Sequence, residues 1–158
     1  MNSFRDFYND NRDRLFGYLL RRTGDYHLAA DLSQESFTKY LERYSKQEPS
    51  VSLLFTIGRN LLYDNGRRQR PTIPYEEEQH RGGTDEESAF LVREESRRVL
   101  KAMQQLDPGE TDILSLVVSS GLSYREIAEM TGTSEANIKV KIHRSRLKLR
   151  KILRKGEL

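Results

Sequence analysis

Apolar residues recur every three or four positions in the first part of the chain, a spacing that predicts amphipathic α-helices. Thr23-Gly24 and Pro49 interrupt the pattern, so it predicts three helices, the third running to about Arg68. The apolar stripes are Phe4, Phe7, Tyr8, Leu15, Tyr18 and Leu19, then Ala30, Phe37, Leu41 and Tyr44, then Leu54, Ile57 and Leu61. We expect these three helices to pack into one small bundle.

A second group of helices is predicted after residue 88. The first of them has the amphipathic stripe Ala89, Val92, Ser96, Val99, Met103 and Leu106, in which only Ser96 is polar. Signals for helix starts follow three times: Asp107 with Pro108 and Glu110, Ser123 with Glu126, and Ser134 before a last helix that runs to about Arg154. No stretch of useful length alternates as a strand would, so the predicted fold class is all-α.

The two helical groups are separated by a segment with the composition of a linker. Residues 70–88 hold two prolines, two adjacent glycines and many acids, with almost nothing apolar. Such a segment cannot bury enough apolar surface to fold by itself. The predicted organisation is a first module at 1–69, a flexible linker at 70–88 and a second module at 89–158.

Composition limits the classes of protein to be considered. The 158 residues are 35% hydrophobic and 32% charged, and none is cysteine. The lack of cysteine excludes disulfides, thiolate zinc sites and cysteine nucleophiles. No apolar run approaches the roughly 18 residues of a membrane span, and the polar N-terminus lacks the apolar segment of a secretory signal. We therefore expect a cytoplasmic protein without a membrane span.

Charge is segregated along the chain, although the net charge is only +3. Residues 134–158 hold nine lysines and arginines against two acids, which gives a net charge of +7. Residues 59–70 carry +3, and residues 76–87 carry −5. Two basic segments with an acidic one between them favour two contacts with one polyanion, such as a nucleic acid. Solvated helix faces and a solvated linker are the alternative at this point.

The strongest local motif is a helix-turn-helix, marked by Ala128, Gly132 and Ile138. A small residue lets the two helices cross closely, glycine permits a left-handed turn, and isoleucine closes the core between the helices. A helix-turn-helix places the start of its second helix in the DNA major groove. Because that second helix also carries the charge of +7, we expect it to bind DNA rather than merely to pack.

Three stretches of the sequence resemble those of one family, the extracytoplasmic-function (ECF) sigma factors. Residues 122–150, LSYREIAEMTGTSEANIKVKIHRSRLKLR, resemble region four of the family. DLSQESF, beginning at Asp31, resembles D-L-x-Q-E-x-F, and FTIGRN at 55–60 with Asp64 and Arg67-Arg68 resembles I-A-R-N-x-x-x-D-x-x-R-R. The resemblance covers nearly the whole chain and implies a protein that carries bacterial RNA polymerase to promoters and helps to open the DNA.

A polar stripe on the second predicted helix is a candidate polymerase contact. The stripe consists of Asp31, Gln34, Glu35 and Thr38, at positions i, i+3, i+4 and i+7, opposite Phe37 and Leu41. Spacing alone favours an ordinary solvated face over a binding surface. The resemblance implies that this stripe docks on the clamp helices of the largest polymerase subunit.

A polar face of the third predicted helix is a candidate contact with the −10 element. Asn60, Asp64 and Arg67 share this face, and Arg68 adjoins it. The resemblance places the face, and the loop at about 45–52, where one DNA strand is separated and a base is held outside the stack. A polar face beside a loop suits backbone contacts and capture of an unstacked base. The tryptophan that family members often have near this helix is absent, since the chain has none.

The resemblance places the −35 contacts on the second helix of the helix-turn-helix. Ile138, Ile142 and Leu149 are predicted to face inward, which leaves the other side free for DNA. The predicted contact set is Ser134, Asn137, Lys139, Val140, Lys141, His143, Arg144 and Arg146. Lysine or arginine to guanine is the commonest specific pairing, and helix N-termini attract phosphates.

Two other classes of function compete with this interpretation. An enzyme is not expected, because the HExxH, GxxxxGK[ST] and GxSxG motifs are absent and the three histidines lie far apart. A one-component regulator is the alternative: it would bind duplex DNA through the helix-turn-helix without polymerase, and it would use the N-terminal bundle to dimerise or sense. The resemblance implies core RNA polymerase, promoter DNA and an anti-sigma factor as partners. No cofactor and no metal are expected.

Overall fold

A computed structural model of the chain describes residues 4–67 and 96–156, and these residues are almost entirely helical. The first range contains α1 (Phe4–Thr23), α2 (Tyr26–Tyr44) and α3 (Val51–Arg67). The second range contains a helical segment at 96–103, which we call α4, followed by α5 (Pro108–Ser119), α6 (Tyr124–Thr131) and α7 (Glu135–Gly156). No strand occurs in either range, which confirms the all-α prediction. The predicted linker at 70–88 lies outside the described residues.

The three N-terminal helices form a bundle around side chains that are completely buried. Leu15, Tyr18 and Leu19 of α1 meet Leu54 and Phe55 of α3, and all five are 0% exposed. Gly58 allows this close approach, since a Cβ there would lie 3.0 Å from Leu15 Cδ1. The predicted bundle is thus confirmed.

Aromatic side chains join α1 to α2. The rings of Phe7 and Tyr40 stack with their centroids 4.8 Å apart, and those of Tyr8 and Phe37 meet edge to face at 4.7 Å.

The expectation that Leu41 belongs to the buried stripe of α2 is wrong, because its side chain is 42% exposed. The buried stripe of α2 is formed by Ala29, Leu32, Ser36, Phe37 and Tyr40. Periodicity alone missed it because Ser36 is polar, yet its hydroxyl is buried while donating to the Leu32 carbonyl at 2.6 Å.

The C-terminal helices begin at the predicted capping residues. The Ser123 hydroxyl accepts a hydrogen bond from the Glu126 backbone N–H at 3.0 Å, and the Glu126 carboxylate accepts one from the Ser123 N–H at 2.9 Å. Such reciprocal bonds satisfy donors that the first turn of a helix otherwise leaves unpaired. A small apolar cluster of Met103, Leu106 and Leu114 packs against Leu149 and Ile152 of α7. 

The end of α6, the turn and the start of α7 form the predicted helix-turn-helix. Ile127, Ala128, Ile138 and Ile142 are all at most 4% exposed and close its interior. Gly132 ends α6 in the left-handed conformation, with φ at 73°. The next N–H, that of Thr133, donates to the Ala128 carbonyl at 3.0 Å and completes the turn.

The two helical groups pack against each other, with α5 on α1 and α6 on α3. Part of this contact is apolar, because Ile113 and Leu116 belong to the same buried cluster as the N-terminal bundle. The polar part centres on Asp112, which is 1% exposed. A further cross-link runs from the Arg21 guanidinium to the Ser119 hydroxyl, at 2.8 Å.

Four side chains of the bundle donate hydrogen bonds to the Asp112 carboxylate. Its Oδ1 accepts from the Tyr18 hydroxyl at 2.5 Å and from Arg22 Nε at 3.1 Å. Its Oδ2 accepts from Arg59 Nε at 2.8 Å and from the Tyr63 hydroxyl at 3.4 Å. We refer to Tyr18, Arg22, Arg59 and Tyr63 as the arginine–tyrosine cradle.

We predict that Gly132→Ala lowers the free energy of unfolding by about 1–2 kcal/mol, because a Cβ is strained in the left-handed conformation. Urea denaturation followed by circular dichroism measures the change. Gly109→Ala is the matched control in the same helical group, since a Cβ there meets nothing within 4 Å. Gly109 has no positive φ, so its replacement is expected to leave stability unchanged or slightly raised. Equal stabilities for the two variants would contradict the role assigned to the turn.

Candidate nucleic-acid interfaces

The outer face of α7 presents most of the residues predicted to contact the −35 element. Because Ile138 and Ile142 are buried on the inner face, the side chains one position further along point outward. The exposed members of the predicted set are Ser134, Lys139, Val140, His143, Arg144 and Arg146, while Asn137 and Lys141 are half-buried. The exposed members of the set therefore combine several cations with one apolar side chain, Val140, which is 44% exposed. Leu147, two turns further along α7, is an equally exposed apolar side chain outside the set.

Two of the predicted contact residues also build the start of α7. The Ser134 hydroxyl accepts a hydrogen bond from the Asn137 N–H at 3.1 Å and thereby caps the helix. The Asn137 side-chain amide donates to the Thr133 hydroxyl at 2.6 Å. These bonds fix the first turn of α7 relative to the turn between α6 and α7. The position of the outer face of α7 is therefore defined from its first residues.

The last part of α7 is held against α5 by an ion pair. Lys148 Nζ lies 2.5 Å from the Glu110 carboxylate. The hydrogen bond from Lys148 lowers the pKa of Glu110. Since both residues belong to the C-terminal helical group, this pair stabilises the group itself and not its contact with the bundle.

The predicted −10 residues of α3 lie partly within the described residues. Asn60 and Asp64 are exposed and stand one turn apart on the same face. The side chain of Arg67 and the whole of Arg68 lie outside the described residues, so the predicted face of four is described only for its first half.

The loop between α2 and α3 is anchored to the bundle. The Ser50 N–H donates to the Tyr40 hydroxyl at 2.9 Å, and the Ser50 hydroxyl accepts from the Leu53 N–H at 3.1 Å, at the start of α3. A cleft of about 350 Å³ lies beside this loop and is lined in part by Asn11, Pro49 and Val51. Asn11 is 3% exposed, and its Oδ1 accepts no hydrogen bond from the described residues.

The predicted polymerase stripe of α2 is exposed along its whole length. Its four members, Asp31, Gln34, Glu35 and Thr38, all face solvent. The Thr38 hydroxyl donates to the Gln34 carbonyl at 3.0 Å. Leu41, which was expected in the core, instead follows Thr38 on this outer side. The surface is therefore an acidic and polar stripe with one apolar side chain at its end.

The arginine–tyrosine cradle was not predicted from the sequence. Burial raises the pKa of Tyr18 well above its ordinary value, and the Asp112 charge acts in the same direction, so the tyrosine keeps its proton and donates it. Burial, the largest single effect, would by itself lower the pKa of Arg22 and of Arg59. The Asp112 charge, together with the nearby Tyr18 and Tyr63 and the hydrogen bonds, outweighs burial, so the net pKa shift of both arginines is upward. Both arginines are therefore fully charged beside one carboxylate.

Polar residues on one side of α5 were the available signal for this contact. Asp112, Ser115 and Ser119 recur at i, i+3 and i+7, the residues between them are all apolar, and all three polar residues are buried. Sequence reasoning would have assigned such a stripe to solvent.

In the described ranges, no three histidine, aspartate or glutamate side chains lie close enough to hold a metal ion, and no helix is long and apolar enough to cross a membrane.

Comparison with known families matches both helical groups. The family model described as Sigma-70 region 2 matches residues 7–72, and the one described as Sigma-70, region 4, matches residues 96–149. The two matches follow each other in order and together cover most of the chain.

Curated relatives match the chain along nearly its full length. RNA polymerase sigma factor CarQ of Myxococcus xanthus is 29% identical, over 99% of this chain and 91% of the relative. RNA polymerase sigma factor YlaC of Bacillus subtilis is 29% identical, over 98% and 94%. ECF RNA polymerase sigma factor SigM of the same organism is 27% identical, over 96% and 95%.

Solved structures share the fold. The sigma factor RpoE of Bartonella quintana, in complex with the anti-sigma factor NepR, aligns with a TM-score of 0.72 at 19% identity over 96% of both chains. CnrH, in complex with the cytosolic domain of CnrY, aligns with a TM-score of 0.71 at 22% identity, over 95% of this chain and 86% of that one. With both sigma-70 regions matched in order, the chain belongs to the sigma-70 family of RNA polymerase sigma factors, in its extracytoplasmic-function group.

Proposed function

We propose that the chain directs bacterial core RNA polymerase to promoters through three surfaces, each carried by a different helix. The outer face of α7 reads the −35 element, the Asn60–Asp64 face of α3 contacts the −10 element, and the exposed stripe of α2 binds the polymerase. The ordered match of both sigma-70 regions is the observation that carries this proposal. The charge and exposure of the three surfaces support it.

The division of labour follows the predicted modules. Residues 1–69 bind core polymerase and the −10 element, residues 89–158 bind the −35 element, and residues 70–88 connect them. On the −10 side, we propose that Arg67 and Arg68 contact the DNA together with Asn60 and Asp64. The chain acts by binding and not as an enzyme, and it acts in the cytoplasm, where RNA polymerase is found.

An anti-sigma factor is proposed as a further partner. Two sigma factors with this fold form complexes with proteins of that kind, RpoE with the anti-sigma factor NepR and CnrH with the cytosolic domain of CnrY. The exposed surfaces of α2 and α7 are those that such a partner would cover to stop polymerase and DNA from binding.

The one-component regulator is less favoured. It would bind DNA through the helix-turn-helix and use the N-terminal bundle to dimerise or to sense a signal. The bundle, however, matches sigma-70 region 2, and the relatives that match the full chain are sigma factors.

The proposal is tested by run-off transcription with purified bacterial core polymerase, with and without the protein, on genomic fragments that include its own upstream region. New, defined start sites that depend on the protein are expected. Specific binding of duplex DNA by the protein alone, without any new start site, would instead establish the one-component regulator.

We predict that Lys139→Ala and Arg144→Ala each weaken promoter recognition, by about 1–3 kcal/mol where the lost contact is a bidentate pair to a base. Both side chains lie on the exposed face of α7. Quantitative transcription from a promoter defined by the run-off assay measures the loss. Lys155→Ala, an exposed cation in the last turn of the same helix, is the control and is expected to stay near the wild-type level. Wild-type transcription in both α7-face variants would refute the assignment.

We predict that the double variant Asp31→Arg with Glu35→Arg no longer binds core polymerase. Reversing two charges on one exposed stripe replaces attraction by repulsion at a complementary surface. Co-purification with tagged core polymerase measures the effect. Asp13→Arg with Glu129→Arg reverses two exposed acids outside the stripe and serves as the matched control. Intact co-purification of the stripe variant would show that polymerase binds elsewhere.

A further inference from the structure

We propose that the arginine–tyrosine cradle is a binding site for a backbone phosphate of promoter DNA, and that Asp112 occupies it while the two helical groups are packed together. The proposal rests on the proposed function, since it assigns the cradle to the same DNA that α3 and α7 contact. Asp112 is then an internal substitute for a phosphodiester.

The donor set of the cradle suits an anion with two accessible oxygens. Two guanidinium and two hydroxyl donors converge on the two oxygens of one carboxylate, at 2.5 to 3.4 Å. A phosphodiester likewise presents two non-bridging oxygens and one negative charge, and arginine is well suited to bind it. Two guanidinium groups face one carboxylate here, so the cradle keeps an excess of positive charge even when Asp112 fills it.

The cradle lies next to the predicted −10 face of the same helix. Arg59 and Tyr63 stand one turn apart on α3, and Asn60 and Asp64 form the adjacent row, each one residue further along. A phosphate held by the first row would therefore lie beside bases contacted by the second. Contacts to phosphates fix the position of a protein on DNA, while contacts to bases read the sequence.

The packed arrangement cannot engage both promoter elements at once. α7 packs on α6, and α6 packs on α3, so the two reading helices lie within about two interhelical spacings, roughly 20 Å. The −35 and −10 elements are separated by about 25 base pairs, which is roughly 85 Å along B-DNA at about 3.4 Å for each pair. The helical groups must therefore separate on a promoter, and α5 then withdraws Asp112 from the cradle.

Separation leaves the two arginines of the cradle without their counterion. In the packed form the Arg22 side chain is only 9% exposed and that of Arg59 only 20% exposed. A nearby DNA phosphate restores the lost ion pairs, so DNA and α5 compete for one site. Because DNA binds the cradle only in the separated form, promoter binding favours separation by mass action.

The first measurement is the size of the free protein, by small-angle X-ray scattering. A packed chain of this length has a radius of gyration of about 15 Å. We expect Asp112→Asn to enlarge it, since the arginines are left buried without a negative partner. Asp112→Lys, which adds a third cation, is the stronger variant. Glu110→Gln is the matched control on α5, because its ion pair with Lys148 stays within one helical group. Unchanged size in both Asp112 variants would overturn the proposal.

The second measurement separates a phosphate site from a mere packing contact. Binding to a promoter fragment at fixed core polymerase is compared for the expanded Asp112 variant with and without Arg59→Ala, across a salt series. Both proteins are already separated, so a cradle that serves only packing predicts equal affinities. A phosphate site predicts a roughly five- to tenfold loss near 0.1 M salt and a salt slope shallower by about 0.7–0.9.

Two controls keep the outcomes distinct. Arg59→Gln replaces Arg59→Ala if the alanine variant loses its helical circular dichroism, and the same loss of affinity is expected from it. If the wild-type protein starts transcription at defined sites but the Arg59 variants bind the promoter fully, the cradle proposal alone is overturned. If the wild-type protein starts no transcription, the proposed function fails instead.

Discussion

The buried carboxylate of Asp112 is the interaction on which the arrangement of the helical groups depends. A charge that is 1% exposed is tolerated only when it is paired and hydrogen-bonded, and here four donors satisfy it. Removing one partner of such a buried pair costs about 3–5 kcal/mol, because the other charge is left uncompensated. The contact between α5 and the bundle therefore requires this set of side chains, whereas an apolar contact would tolerate many substitutions.

The apolar part of the same contact has a different character. Ile113 and Leu116 of α5 continue the core of the N-terminal bundle, while Met103, Leu106 and Leu114 form a smaller cluster with α7. Opposite faces of α5 thus serve two purposes: one stabilises the C-terminal group, and the other joins it to the bundle. When the groups separate, the cluster of Met103, Leu106 and Leu114 with α7 is kept, and the contact of Ile113 and Leu116 with the bundle is lost. The helix-turn-helix of α6 and α7 can therefore move as one unit with α4 and α5.

Most of the local structure was predictable because it depends on neighbouring residues. The spacing of Ala128, Gly132 and Ile138 predicted the turn, and the exposed face of α7 follows from the burial of Ile138 and Ile142. Leu41 was misplaced because the true stripe of α2 includes Ser36, a polar residue that is buried through a bond to its own helix. Periodicity reads polarity alone and cannot detect such a bond.

The cradle could not be predicted for a related reason. Asp112 lies 94 residues from Tyr18 and 53 from Arg59, and no local pattern links residues at such separations. Taken alone, Asp112 and the two arginines resemble residues of solvated helix faces, and Tyr18 resembles an ordinary core residue. Only the packed helices show that the carboxylate on α5 is complementary to the donors on α1 and α3. Charge patterns along a sequence therefore do not predict polar contacts between modules.

The shape of the cradle explains how one site can accept two different anions. Tyr18 and Arg22 stand one turn apart on α1, and Arg59 and Tyr63 do so on α3, so two rigid helices present the four donors. The guanidinium carbons of Arg59 and Arg22 lie 4.9 and 5.5 Å from the centre of the Tyr63 ring. Such cation–π contacts hold the planar groups in place independently of the anion, and lysine would lack both the plane and the fork. A site whose donors are fixed by the bundle itself keeps its form when α5 leaves, and it is then ready for a phosphate of the same charge.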